Sequence, residues 1–196
     1  MNGFSDLVSK ILTSDGIPDV SIHRKSKVDL PGYFRAEKNW DLLVVVRGHL
    51  LATIEFKSQV GPSFGNNFNN RTEEAIGSAA DFRLAYRDGA FKPSPAPWLG
   101  YLMLLEDAKG SKRPVRTTES HFQVFPEFRS ASYADRYKIL LTKLVRERLY
   151  DAACLLVATR ERGLKGEYAE PDDELGMKNF IESLRARAIA FAKTQL

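Results

Sequence analysis

The sequence predicts an α/β domain: a central mixed β-sheet flanked by helices. Three observations lead there. Amphipathic segments with helical spacing stand at both ends and in the middle of the chain; two apolar runs flank a turn at Gly48; and Trp98 to Leu105 is apolar throughout, as a strand buried on both faces must be. At 196 residues the chain is long enough for one well-buried core and short for two, so a single domain over 1–196 is expected.

Phe4, Leu7, Val8, Ile11 and Leu12 recur at three-and-four spacing and predict a first helix, stopped by Gly16 and Pro18. Ser21 to Lys38 is basic, aromatic and interrupted by Pro31-Gly32, which predicts an irregular approach or short strand with Tyr33 and Phe34 packed inside. Leu42 to Val46 and the run ending at Gln59 have strand length and β-branched content, with Arg47-Gly48-His49 as the turn. Val60 to Arg71 is rich in glycine and asparagine and predicts a loop. A second helix is expected from Thr72, capped by Asn70 or Thr72, with Glu73 and Glu74 complementing its positive end and Ile76, Ala79, Ala80 and Phe82 as its apolar side. Three prolines, Pro93, Pro95 and Pro97, precede the apolar strand, and Glu106-Asp107 ends it.

Charges with Pro114 and Pro126 make Lys109 to Phe128 a loop holding at most a short strand. Ser132 and Asp135 have the spacing of a capping box, and Tyr137, Leu140, Leu141 and Leu144 continue at helical spacing. Tyr150 to Thr159 fits a strand or a helix, its Leu155 to Ala158 portion suiting a buried strand. The acidic run from Glu170 to Glu174 introduces a terminal helix with Phe180, Ile181, Leu184, Ala188 and Phe191 on one side.

The hairpin carries the chemistry. If it is centred on Gly48, Asp41 and Glu55 stand nearly opposite one another, each seven residues from the glycine. Strand side chains alternate, so Glu55 and Lys57 share a face about 6.6 Å apart while Ile54 and Phe56 point into a core. The charged face is then expected to be wet. Two carboxylates can hold Mg²⁺, a hard ion that keeps most of its waters and meets substrate phosphate at its remaining positions. An ammonium beside it, from Lys57, can orient the attacking water and neutralise charge on phosphorus. The same residues also fit a strand entry and an exposed ion pair worth about 0–1 kcal/mol. Spacing alone leaves both readings open.

The formal charge is +4, with basic residues gathered at His23 to Lys27, Lys109 to Arg116 and Arg146 to Arg148, which favours a polyanionic partner. No apolar run reaches the roughly 20 residues of a bilayer span, and no secretory pattern opens the chain, so a cytoplasmic protein without a membrane partner is expected. The single cysteine, Cys154, allows no intrachain disulfide and suits burial.

The order of helix, hairpin with Asp and Glu-x-Lys, helix and apolar strand resembles the PD-(D/E)xK restriction-endonuclease-like fold. The run from Ile54 to Glu74, IEFKSQVGPSFGNNFNNRTEE, is more specific: it resembles the XhoI-type restriction endonucleases, and the similarity continues across most of the chain. That resemblance implies a type II, Mg²⁺-dependent homodimer that cuts double-stranded DNA within CTCGAG, paired in the cell with a protecting DNA methyltransferase. It maps Asp41 and Glu55 to metal binding and Lys57 to catalysis. The motif's proline is absent, since Asn39-Trp40 precedes Asp41. Family members carry an additional segment before the position of Met1, so a short or N-terminally truncated homologue is expected.

Glu73 and Asp6 are further carboxylates for a second shell or second metal, Glu73 fitting helix-end charge compensation better. Gln59 continues the Glu55 and Lys57 face. Asn66, Asn67, Asn69, Asn70 and Arg71 follow the catalytic strand, and Asn, Gln and Arg are the side chains that read adenine and guanine in the major groove. The same asparagines also serve turn geometry. A structure-specific repair nuclease and a non-catalytic DNA-binding module are the competing functions.

Overall fold

The computed structural model describes residues 2–195. In chain order it has α1 (Asn2–Ser14), a 3₁₀ turn (Asp19–Ser21), β1 (Ile22–His23), β2 (Asp29–Pro31), β3 (Glu37–Asn39), β4 (Leu42–Val46), β5 (His49–Gln59) and α2 (Phe64–Arg87). Then come β6 (Trp98–Glu106), α3 (Lys109–Lys112), a second 3₁₀ turn (Pro126–Phe128), α4 (Tyr133–Arg146), β7 (Ala152–Ala158), α5 (Arg160–Leu164) and α6 (Met177–Gln195). Five strands form a mixed sheet in the order β1-β4-β5-β6-β7, antiparallel as far as β5 and parallel from β5 to β7. β2 and β3 pair in a separate antiparallel ribbon.

Strand alternation divides the core in two. Leu42, Val44, Ile54, Phe56, Trp98, Leu102, Cys154 and Leu156 meet α1 and α6 on one sheet face, through Val8, Leu12, Phe180, Leu184 and Phe191. Leu43, Leu99, Tyr101, Met103, Ala153 and Leu155 meet α2 and α4 on the other. Both faces are therefore covered, and the expected wet face is instead a buried one: Thr53, Glu55 and Gln59 all lie on it and are all buried.

The cause is α2, which begins at Phe64 and not at Thr72. Asparagine is a middling helix former, but Phe64, Phe68, Ala75, Ala79 and Phe82 recur at helical spacing and are all buried, and tertiary packing overrides propensity. Gly65 lets this turn lie against α4, since a Cβ there would sit 2.5 Å from the Tyr133 hydroxyl. The asparagine segment is thus helical, Thr72 is inside the helix with its hydroxyl donating to the Phe68 carbonyl at 2.9 Å, and Glu73 stands too far along to compensate a helix end. The segment from Tyr150 resolves as strand β7, and α4 opens with the expected box: Ser132 Oγ accepts from Asp135 N at 3.2 Å and Asp135 Oδ2 accepts from Ser132 N at 2.9 Å.

Candidate active site

The hairpin turn is tighter than Gly48-centred counting implies. Val46 pairs with His49, and Arg47 and Gly48 have φ of 51° and 79°, the signature of a two-residue type I′ turn. The register then shifts between Val44 and Val45, leaving Leu51 without a partner, and resumes as Val44↔Ala52, Leu43↔Thr53 and Leu42↔Ile54. Extending that ladder by one residue sets Asp41 beside Glu55.

Asp41 Oδ2 accepts a hydrogen bond from Phe56 N at 2.7 Å, which fixes its carboxylate against β5. The residue has an open edge, yet partial burial of its carboxylate raises its pKa above the usual carboxylate value; the Phe56 amide opposes this and the Glu55 charge adds to it. Glu55 is 5% exposed. Its Oε1 is paired with the Lys57 ammonium, and its Oε2 lies 3.0 Å from Lys38 Nζ. Lys38 was not expected here. It reaches the site from β3, donating also to the Asn39 carbonyl at 3.2 Å and lying 4.4 Å over the buried Trp40 ring. The clue in the sequence is its spacing of two from Trp40, which puts both on one side of an extended segment.

Across the sheet Glu55 is in register with Tyr101, whose hydroxyl is buried without a protein partner and whose acidity is suppressed first by burial and then by the Glu55 charge. Gln59 is 1% exposed and accepts from the Tyr137 hydroxyl at 2.7 Å. It is therefore not at the surface where a DNA contact was expected, and it braces the end of β5 against α4. Asn66, Asn69 and Asn70 are exposed and, at spacings of three and four, share one side of α2's first turns; Asn67 and Arg71 are half-buried, and Arg71 pairs with Glu74. Asp6 is on α1, which packs on the opposite sheet face from Glu55, and is paired with Arg24 at 2.7 Å. Cys154 is buried as expected.

A mixed sheet wrapped by helices, with acids and lysines converging on one hairpin, is a restriction-endonuclease-like fold. The family model for restriction endonuclease XhoI matches residues 1–170, and the chain belongs to that family of type II restriction endonucleases, which are site-specific deoxyribonucleases acting on double-stranded DNA. It is 52% identical to the type II restriction enzyme BstVI of Geobacillus stearothermophilus over 94% of this chain and 84% of that protein. It is 48% identical to the type II restriction enzyme XhoI of Xanthomonas vasicola over 74% of this chain, and 56% identical to the type II restriction enzyme AbrI of Azospirillum brasilense over 63%. Those two matches span 59% and 56% of the relatives' own lengths. No solved structure matches the chain. No helix among the described residues is long and apolar enough to cross a membrane.

Proposed function

We propose that this protein is a Mg²⁺-dependent endonuclease that hydrolyses one phosphodiester bond in each strand of duplex DNA within CTCGAG, as a cytoplasmic homodimer whose host site is protected by a partner methyltransferase. The observation that supports the chemistry is the junction of β4 and β5, where Asp41 and Glu55 are neighbours and Lys57 holds the Glu55 carboxylate. Among the described residues no group of three or more histidine, cysteine or acidic side chains could hold a metal. That donor set is too small for a closed structural site and suits Mg²⁺, which takes one or two carboxylates and fills the remainder with water and phosphate. Asp41 and Glu55 would hold it. Mutual repulsion already weighs on Asp41, and a cation relieves it.

When bound, the ion supplies positive charge at the phosphoryl oxygens and a more acidic water. The chain's own groups do the positioning. The Phe56 amide keeps Asp41 in place. Lys57, 24% exposed, is the cation with access to the scissile phosphate and the attacking water, while Lys38, at 13%, is set deeper and balances the second Glu55 oxygen. A homodimer matches a palindromic site because each protomer then meets an equivalent strand. Asn66, Asn67, Asn69, Asn70 and Arg71 are the candidates for reading bases from α2.

Digestion of a linear DNA carrying one CTCGAG, with Mg²⁺ and with EDTA, tests the reading. One discrete metal-dependent double-strand cut is expected; cutting at junctions irrespective of sequence, or binding without cutting, would replace it by a repair nuclease or a binding module.

A further inference from the structure

The β2–β3 ribbon is too short to be stable alone, and it is held at both ends. At its base Trp40 N donates to the Val28 carbonyl at 2.9 Å, and Trp40 packs edge-on against Phe82 with ring centroids 5.5 Å apart. At its tip, residues 32–36, one carboxylate does the fixing. Asp81 of α2, its side chain 3% exposed, accepts hydrogen bonds from Tyr33 N at 2.8 Å and Phe34 N at 2.7 Å through Oδ1, and pairs through Oδ2 with Arg35 Nε at 2.9 Å. Gly32 is required for this approach: a Cβ there would lie 2.6 Å from Asp81 Oδ2.

The side chains presented by this anchored tip were expected to be packed inside. They are not. Tyr33 is 46% and Phe34 70% exposed, the two rings edge-to-face at 4.9 Å. The base of the ribbon packs on the core under α2 and α4 through Val28, Leu30 and Trp40, whereas at the tip the buried anion holds a backbone whose aromatic rings face outward. Between Arg24 and Lys38 the segment has five lysines and arginines against Asp29 and Glu37; Arg24, Arg35 and Lys38 are paired with Asp6, Asp81 and Glu55, which leaves the exposed Lys25 and Lys27 as the cations a phosphate backbone can meet. Its base delivers Lys38 to Glu55, so it is continuous with the candidate active site. From Lys38 to Phe34 is four residues, at most about 13 Å at the strand rise. That reaches at most about four base-pair steps at roughly 3.4 Å each.

We propose that the β2–β3 ribbon is a DNA-reading element: the Tyr33–Phe34 pair seats against the bases of the duplex within about four pairs of the scissile phosphate, and Asp81 is the positioning residue that aims it. The inference rests on the nuclease reading above and goes beyond it in assigning a second contact outside α2. A two-stranded ribbon fits a B-DNA major groove, where an apolar side chain such as Phe makes contact with the thymine methyl at the base edge.

The test uses the full chain with a 20-base-pair CTCGAG duplex and a scrambled duplex of equal composition, in Ca²⁺ to hold back cleavage, with 2-aminopurine placed in turn at each position two to five pairs from the cut. Wild type is expected to change 2-aminopurine fluorescence at one of these positions on the CTCGAG duplex only. The variant Tyr33→Ala/Phe34→Ala should lose that signal and at least tenfold in preference for CTCGAG over the scrambled duplex, with melting temperature unchanged because both rings are exposed. Phe34→Tyr should restore the signal in a Tyr33 background, and Asp81→Asn, which still accepts from the two amides but loses Arg35, should weaken the preference partially. If the folded double variant keeps both signal and preference, the ribbon is not a reading element although the nuclease reading stands. If wild type neither prefers CTCGAG nor cuts it in Mg²⁺, both fall together.

Discussion

Glu55→Gln isolates the charge on which the candidate site depends. The side chain is 5% exposed and both of its oxygens are engaged, Oε1 by Lys57 and Oε2 by Lys38 at 3.0 Å. An amide of the same shape keeps one acceptor but turns an NH₂ group toward one of the two ammoniums. Hydrogen bonds to charged groups contribute about 1.5–3 kcal/mol each. The loss is smaller than two such bonds, because Lys38 and Lys57 retain 13% and 24% exposure and can turn outward, and because removing a buried anion recovers its desolvation cost. A net destabilisation of about 1–2 kcal/mol remains, which lowers the melting temperature of a chain this size by roughly 2–8 °C. Cleavage should suffer far more, because a neutral amide cannot share in holding Mg²⁺: a fall of at least about 10³-fold, near 4 kcal/mol in the barrier, is expected. Circular-dichroism melting and the rate of conversion of a single-site plasmid from supercoiled to linear measure the two effects on one sample. A Glu55→Gln protein that linearises the plasmid within about tenfold of the parent rate removes Glu55 from the metal site. A melting temperature that rises shows that the lysines do not rely on it.

Lys57→Met should reduce cleavage by about 10²-fold or more while anisotropy with the CTCGAG duplex in Ca²⁺ changes only a few-fold; loss of binding in parallel with rate would recast Lys57 as a docking group. Asp41→Asn separates function from stability. The raised pKa of Asp41 means that the fold prefers its protonated form, a preference fully present below the unfolded value near 3.8 and lost as pH rises through the folded value, so at neutral pH the ionised carboxylate works against folding. The asparagine still accepts from Phe56, so melting at pH 7.5 should equal or exceed the parent's, the gap closing toward pH 4, while plasmid cutting is lost; a lower melting temperature at pH 7.5 contradicts the sign. Tyr137→Phe strips the buried Gln59 oxygen of its donor, expected to cost about 1–3 kcal/mol in urea unfolding. An unchanged unfolding midpoint would show that Gln59 is not braced by α4.

Tyr150 to Thr159 suits a strand or a helix until β6 pairs with it, but α1, α4 and α6 were legible from a period of 3.6, and β4 and β6 from unbroken apolar runs of strand length. The start of α2 was not. Asn66, Asn67, Asn69 and Asn70 favour turns in isolation, and only contact with the sheet and α4 repays burying Phe64 and Phe68 in a helix. The same long-range packing covers the Glu55 face, which short-range alternation had left wet, and tucks Gln59 under Tyr137. Lys38 is not legible in the sequence because its partner is 17 residues away and depends on the path of a ribbon whose anchor, Asp81, is 43 residues beyond it.

The pairing of Asp41 with Glu55 came out of counting, but the structure reaches it by another route. The type I′ turn is centred between Arg47 and Gly48; a regular ladder from it pairs residues whose numbers sum to 95, as Val46 and His49 do, and would set Asp41 opposite Ile54. Cross-strand partners share a face, so Asp41 would then lie on the side of Ile54 and Phe56, against the core beneath α1 and α6, while Glu55 and Lys57 projected the opposite way. One extra residue corrects the sum to 96. It is Leu51, and the reason is hydrophobic: Leu50 packs in the core under α2 and α4, whereas Leu51 and Ala52 both pack in the core under α1 and α6, an arrangement that strict alternation forbids and a bulge permits. The acids of the candidate site are thus brought to one face by a leucine four residues before Glu55, and their register is set by the packing of the opposite core.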